Sequence, residues 1–189
     1  MSVFFFFCLG AIFGSFLNAL EWRLYHQKSL MERSACPLCH AVIRWHDNVP
    51  IVSFFLLERR CRACKKIISW QYPLVEAGVG ILFAFVGWWH LGYGGDFTVL
   101  LIRDIFAVFV LSFLFVYDLK YQEIPDVITL PSLVLLGIGS LYFGWHAFSS
   151  ILVAAGVGGG FFLLQYIISR GRWIGGGDIR LGILMGVLL

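Results

Sequence analysis

The sequence predicts an all-α fold: a polytopic helical membrane protein with a small zinc-binding cytoplasmic insertion. Three observations carry this. Hydrophobic residues make up 60% of the 189-residue chain and charged residues only 13%, whereas a soluble domain carries about a quarter charged residues. The apolar residues fall into stretches close to the roughly 20 that a spanning helix needs. Nine of the fourteen Lys and Arg sit in one polar loop that also holds four of the five cysteines. A water-soluble core of this length could not hide so much apolar surface, so ordinary soluble and disordered classes are excluded. The net charge of +3 is too small to argue for nucleic acid, and a lipid bilayer is the expected partner.

The first stretch, Ser2–Leu20, has no charged residue and contains four consecutive phenylalanines. It lacks a basic leader and runs into Glu21-Trp22-Arg23 rather than a small-residue cleavage site, so it reads as a retained helix and not a signal peptide. Tyr72–Leu91 is the second span, with Glu76 near its start, and Phe97–Tyr117 is the third, carrying Arg103 and Asp104. Val127–Trp145 and Ala147–Ser169 are the fourth and fifth, both free of charge. Ile179–Leu189 begins a sixth but covers 11 residues, about 16 Å of helix, so the chain is expected to be a fragment cut inside that helix. No internal repeat is expected.

Lys and Arg set the orientation. The loop between the first two spans holds Arg23, Lys28, Arg33, Arg44, Arg59, Arg60, Arg62, Lys65 and Lys66. The 118–126 connection holds Lys120, and the 170–178 connection holds Arg170 and Arg172. The connections around Gly92–Asp96 and His146 hold none. The bias puts the N-terminus outside and the basic loop in the cytoplasm.

That loop contains Cys36-Pro-Leu-Cys39 and Cys61-Arg-Ala-Cys64, with 21 residues between the pairs. Two CxxC turns each offer two thiolates, and together they complete a tetrahedron around one zinc ion. Nearby Arg and Lys favour the thiolate form. A cytoplasmic location disfavours two disulfides, and the loop has no room for the βαβ unit of a redox CxxC. Four thiolates leave no open coordination position, so the expected zinc is structural and supplies folding energy to a loop too small for its own core. His40 and His46 are spare ligand candidates. Cys8, inside the first helix, reads as a buried structural thiol.

The remaining chemistry is acidic. The third span ends at Tyr117-Asp118, and the sixth begins after Gly175-Gly176-Gly177-Asp178. By topology both aspartates reach the cytoplasmic boundary, as does Glu76. Acidic groups near hydrocarbon are functional candidates by default. Two carboxylates with one proton between them can activate water and protonate a scissile carbonyl, as in an aspartic protease. The glycines before Asp178 would allow close approach of backbone or extended substrate. The plainer alternatives are helix caps or interfacial charges. Asp126, after Pro125, reads as a cap for the fourth helix, and Glu123 as solvated. Arg103 and Asp104 read as snorkelling or paired. Glu76 is balanced between an interfacial charge and a helper role.

At these residues the chain resembles the type IV prepilin peptidase family, the GxGD aspartic proteases of the membrane. The matching stretches run in order: Gly14-Ser15-Phe16-Leu17-Asn18, Cys36-Pro37-Leu38-Cys39-His40, and Ile43-Arg44-Trp45-His46-Asp47-Asn48-Val49-Pro50. They continue through Cys61-Arg62-Ala63-Cys64, Ile68-Ser69 and Tyr72-Pro73-Leu74-Val75-Glu76. The last are Tyr117-Asp118, Ile124-Pro125-Asp126, Thr129-Leu130-Pro131 and Gly175-Gly176-Gly177-Asp178-Ile179-Arg180-Leu181. The resemblance implies an aspartic endopeptidase of the bacterial inner membrane with Asp118 and Asp178 as its catalytic pair. Type IV prepilins or pseudopilins would be its substrates, with the basic leader removed at the cytoplasmic face. It also implies zinc held by Cys36, Cys39, Cys61 and Cys64. Many members N-methylate the new N-terminus with S-adenosylmethionine. Two features depart from the family pattern. Arg59-Arg60 precedes the third cysteine where Gly and a basic residue are usual, and the family continues beyond Leu189.

On this reading residues 1–20 are the first transmembrane helix, 21–71 the cytoplasmic zinc-binding loop domain, and 72–189 the transmembrane catalytic domain. Two rivals stand beside it. One is a non-enzymatic membrane scaffold whose zinc-bound module docks a partner. The other is a transporter, which would need its carboxylates nearer mid-bilayer.

Overall fold

A computed structural model of the chain describes residues 2–92 and 97–188. The connection after Gly92 and the terminal Leu189 lie outside the described residues. Among them the fold is helical, in the order α1 (Val3–Tyr25), α2 (Val52–Leu56), α3 (Gln71–Gly92), α4 (Phe97–Tyr121), α5 (Asp126–Tyr142), α6 (Phe148–Ser169) and α7 (Gly176–Leu188). Four helices are long and apolar enough to cross a membrane: Val3–Tyr25, Gln71–Gly92, Thr98–Tyr121 and Phe148–Ser169. α5 is shorter than the span expected there. It has 17 residues and ends before Phe143, with Gly144 in a left-handed turn at φ +64°. At about 1.5 Å per residue that is about 26 Å.

The chain divides into two compact units, Met1–Phe113 and Leu114–Leu189. In the first, α1 and α3 run antiparallel in close contact. A Cβ on Gly10 would sit 2.6 Å from the Val79 carbonyl oxygen, and one on Gly14 would sit 2.7 Å from the Glu76 Cα. Gly10 and Gly14 are one turn apart on α1, the spacing that lets two helix backbones approach in hydrocarbon. The same face carries Leu17, Asn18 and Glu21, all buried. Cys8 is not on it. That thiol is exposed, contrary to the buried role expected of it, because it projects from the opposite side of α1. Phe13 packs its ring against Phe83 and Phe109. The charged pair in α4 does not stand alone. Asp104 accepts from Arg103 Nε at 2.7 Å and lies 2.8 Å from His90 Nε2.

In the second unit α6 and α7 are antiparallel and α5 runs parallel to α7. A Cβ on Gly182 would sit 2.6 Å from the Gly158 carbonyl oxygen, and one on Gly158 or Gly186 would collide with the facing backbone at Gly182 or Ala154. Gly137 of α5 faces Val187. At the other end of this pair Asp126 accepts from Arg180.

These contacts make glycine size, not apolarity, the requirement along both seams. Gly182→Ala is expected to cost about 1–3 kcal/mol, the usual penalty for overpacking a closed site. Gly160→Ala, which meets nothing within 4 Å, is expected to be neutral. Thermal unfolding of the two variants in detergent checks the difference.

Candidate active site and metal centre

The two cysteine pairs sit on two copies of one backbone turn. Cys36 N–H donates to Ala41 O and His40 N–H to Cys36 O. Twenty-five residues on, Cys61 N–H donates to Lys66 O and Lys65 N–H to Cys61 O, all four at 2.9 Å. Each turn is closed by an isolated antiparallel bridge, Ala35 with Val42 and Arg60 with Ile67. His40 and Lys65 take the same left-handed conformation, at φ 57° and 58°. The duplication is written in the chain as C-x-x-C-x-x-x-I-x-W, Cys36 to Trp45 and Cys61 to Trp70. The sequence therefore does contain an internal repeat, visible once the two pairs are aligned on their first cysteines.

The turns face each other. The four Sγ atoms of Cys36, Cys39, Cys61 and Cys64 all lie within 4.8 Å of one another, so the cluster could hold a metal ion. None of the four is in a disulfide. Neither His40 nor His46 belongs to the cluster. Backbone N–H groups of Cys64 and Ala63 pull the Cys61 thiol down to about 7. Cys39 receives a lowering hydrogen bond from Ala41, but burial and the three neighbouring sulfurs push it up to about 11. Arg62 ties the second turn to the 3-10 turn Trp45–Asn48 by a two-pronged pair with Asp47, at 2.6 and 2.8 Å. That guanidinium holds the Asp47 carboxyl below its ordinary range.

Glu76 fastens this module to the helices. Its side chain is only 7% exposed, and its Oε2 accepts the Ile51 N–H at 2.6 Å. Ile51 is held at φ +62°, a region a β-branched residue avoids. Glu76 is thus a buried clamp on the backbone at Ile51. Nearby, Asn18 Nδ2 donates to Tyr72 O at 3.2 Å and Gln71 Nε2 to Glu21 Oε1 at 3.2 Å.

The second unit holds Asp118 and Asp178. Asp118 lies one turn from the end of α4 and is exposed. Four residues, 122–125, connect α4 to α5. Asp178 lies in the first turn of α7. Its Oδ2 accepts the Gly175 N–H at 2.8 Å, the reach-back half of a capping box, which fixes the carboxylate's direction at the positive end of the helix. Two contacts join these segments. A Cβ on Gly177 would sit 2.8 Å from Ile124 Cβ, and Arg180 pairs with Asp126. The end of α4, the start of α5 and the start of α7 therefore occupy one end of the unit, and both aspartates are there. Of the three glycines only Gly177 is crowded. Gly176 meets nothing within 4 Å.

Asp126 corrects an expectation. α5 has no side-chain cap, and the Asp126 carboxylate engages Arg180 instead of free helix N–H groups. Arg180 and Asn18 received no role from the sequence. Their signals were present: Arg180 is the one cation within α7, two residues after Asp178, and Asn18 is a polar residue one turn from Gly14 in an apolar helix.

Comparison with known proteins places this arrangement. Residues 8–90 match the bacterial peptidase A24 N-terminal domain, and residues 105–189 match the type IV leader peptidase family. A prepilin leader peptidase/N-methyltransferase of Myxococcus xanthus is 35% identical over 98% of this chain and 55% of its own length. The proteins of the same name from Vibrio cholerae and Neisseria gonorrhoeae are 31% and 32% identical over 96% of this chain. This chain covers 75% and 72% of their lengths, so it spans between about half and three quarters of these relatives. No solved structure matches the chain. The order and content of its two halves, together with these similarities, establish that the chain belongs to the type IV leader peptidase family.

Proposed function

We propose that this chain is a membrane-embedded aspartic endopeptidase that removes the basic leader from type IV prepilins or pseudopilins, with Asp118 and Asp178 as its catalytic pair. The observation that carries the reading is the meeting of the α4 end and the α7 start around Ile124, Gly177, Asp126 and Arg180. One carboxylate takes a proton from water, and that water attacks the scissile carbonyl while the other carboxylate supplies a proton to its oxygen. The tetrahedral intermediate then collapses, the C–N bond breaks, and the leaving amine takes up a proton. The substrate's backbone must be extended around the cut, because helical hydrogen bonds shield the carbonyl. In the same reading the chain sits in the bacterial inner membrane with the cysteine module and both aspartates on the cytoplasmic side, as the Lys and Arg of the connecting loops favour. N-methylation of the new N-terminus, in the name of the relatives, is the second activity.

The ion suited to the cysteine module is zinc. Tetrahedral zinc with bonds of about 2.3 Å sets its sulfurs about 3.8 Å apart, and four sulfurs within 4.8 Å fit that with small adjustment. Cys36, Cys39, Cys61 and Cys64 would hold it, and its chemistry there is structural. A scaffold that works through the module alone would keep its function when the aspartates are replaced.

Three outcomes follow. Asp118→Asn and Asp178→Asn are each expected to reduce cleavage of a prepilin peptide in detergent by at least about 10³-fold, the scale of losing an essential acid or base; cleavage retained in either folded variant rejects the pair. Gly177→Ala should impair cleavage by forcing Ile124 aside, while Gly176→Ala should keep it, which separates packing from a generic need for glycine. Cys39→Ser, measured by metal analysis of the purified protein, should lose bound zinc and lower the unfolding temperature.

A further inference from the structure

We propose that the apolar face of α2 and the cations that follow it form a lipid-binding surface, which lays the cysteine module on the bilayer and prefers anionic headgroups. The proposal is independent of the peptidase reading and needs only that α3 crosses the membrane. Val52, Phe55 and Leu56 fall at i, i+3 and i+4, one face of a helix. All three are exposed, Leu56 at 78%. The opposite side of α2 is engaged with the protein, since Ser53 and Phe54 are buried. The exposed face also adjoins a membrane-crossing helix. Phe54 and Phe55 hold their ring centres 4.9 and 6.3 Å from that of Trp70. Trp70 O accepts the Leu74 N–H at 3.2 Å, so Trp70 opens the turn that leads into α3. From there Trp70, Leu74, Ile81, Phe85 and Trp88 recur at helical spacing, and all are exposed. They lie on the side of α3 away from the buried Gly80, Phe83 and Gly87, which makes them its lipid-facing stripe. The stripe continues through Trp70, a residue type favoured at the membrane–water interface, onto the face of α2.

Charge selects the kind of lipid. From Val52 to Trp70 the chain carries Arg59, Arg60, Arg62, Lys65 and Lys66 against one carboxylate, Glu58. Arg62 is engaged with Asp47. The Arg59 guanidinium lies 5.1 Å from the centre of the Trp70 ring, which places a cation at the level of the interfacial tryptophan. Arg60, Lys65 and Lys66 are exposed. Arg60 bridges to Ile67, which is exposed as well, so a further apolar side chain stands among these cations. Apolar side chains seated at the headgroup level, with Lys and Arg beside them, are the two halves of binding to an anionic lipid surface. A soluble acidic protein would match the cations alone. Continuity with the lipid-facing stripe of α3 favours lipid.

The test reads amide hydrogen exchange of residues 52–60 in the full chain, held as single copies in nanodiscs of phosphatidylcholine with or without phosphatidylglycerol. Exchange is expected to be slower with phosphatidylglycerol by at least about fivefold, the worth of one cation near an anionic surface. That difference should fade at high salt. The triple variant Arg60→Gln, Lys65→Gln, Lys66→Gln should lose it. Leu56→Glu should speed exchange in both lipids while residues 76–87 of α3 exchange as in the wild type, which shows that the α1–α3 seam is intact. Equal exchange in the two lipids, or a difference kept by the triple variant, overturns the proposal. So does exchange that Leu56→Glu leaves unaltered. Slowing that requires two copies in one disc assigns the face to self-association and overturns it. Equal slowing by free glycerol phosphate assigns the cations to a soluble anion, with the same consequence.

Discussion

Close contact between helix backbones is the constraint on which everything else here depends. In hydrocarbon, helices gain nothing from hiding apolar side chains from one another, because lipid is equally apolar. What remains is packing, and it is tightest where side chains are absent. α1 meets α3 at Gly10 and Gly14, and α6 meets α7 at Gly158, Gly182 and Gly186. The chemistry hangs on those seams. Glu76 is the residue against which Gly14 rests, so the clamp on Ile51 is built at the same seam. Asp178 lies one turn before Gly182 on α7, so the seam with α6 sets the height at which that carboxylate emerges.

The cysteine module solves a different problem. About 45 residues between α1 and α3 contain one five-residue helix, one 3-10 turn and two isolated bridges, too little regular structure to support a core. Duplication of one turn is an economical answer, since the same local hydrogen bonds deliver two thiolates twice. The backbone also prepares the ligands unequally. At Cys61 the amides of Cys64 and Ala63 favour the thiolate, whereas at Cys39 neighbouring sulfurs oppose it. A metal ion bound there would remove that opposition by taking all four as thiolates, with release of protons.

Much of this was legible in the sequence, and the limits have physical reasons. Spans can be read because hydrocarbon thickness imposes a length, and the cysteine cluster because coordination imposes spacing. The turn at Gly144 that shortens α5 is a local event inside an apolar run, which hydropathy does not register. Cys8 was misread because composition says that a thiol is apolar but not which side of a helix faces its neighbour; Gly10 and Gly14 mark that side, and Cys8 is off it. Asp126 was misread because its partner, Arg180, is 54 residues away, whereas the cap was a local guess. The repeat linking Cys36–Trp45 to Cys61–Trp70 needed only an alignment of the chain with itself.

The placement of Asp118 and Asp178 bears on why the proposed reaction would use helix ends. A carboxylate at mid-bilayer is costly to keep ionised and cut off from water. At the first turn of a helix it gains free N–H donors and the positive end of the dipole, and at the last turn it reaches solvent. Asp178 takes the first position, with the Gly175 N–H on its Oδ2, and Asp118 takes the second, exposed near the end of α4. Such a pair is held differently at its two members: one is fixed by backbone and the other is free to adjust. On the proposed reading, that asymmetry suits a reaction in which one carboxylate orients water while its partner follows the carbonyl oxygen from trigonal to tetrahedral. The Asp126–Arg180 pair and the seat of Gly177 on Ile124 hold the two segments that carry these aspartates at the same end of the unit.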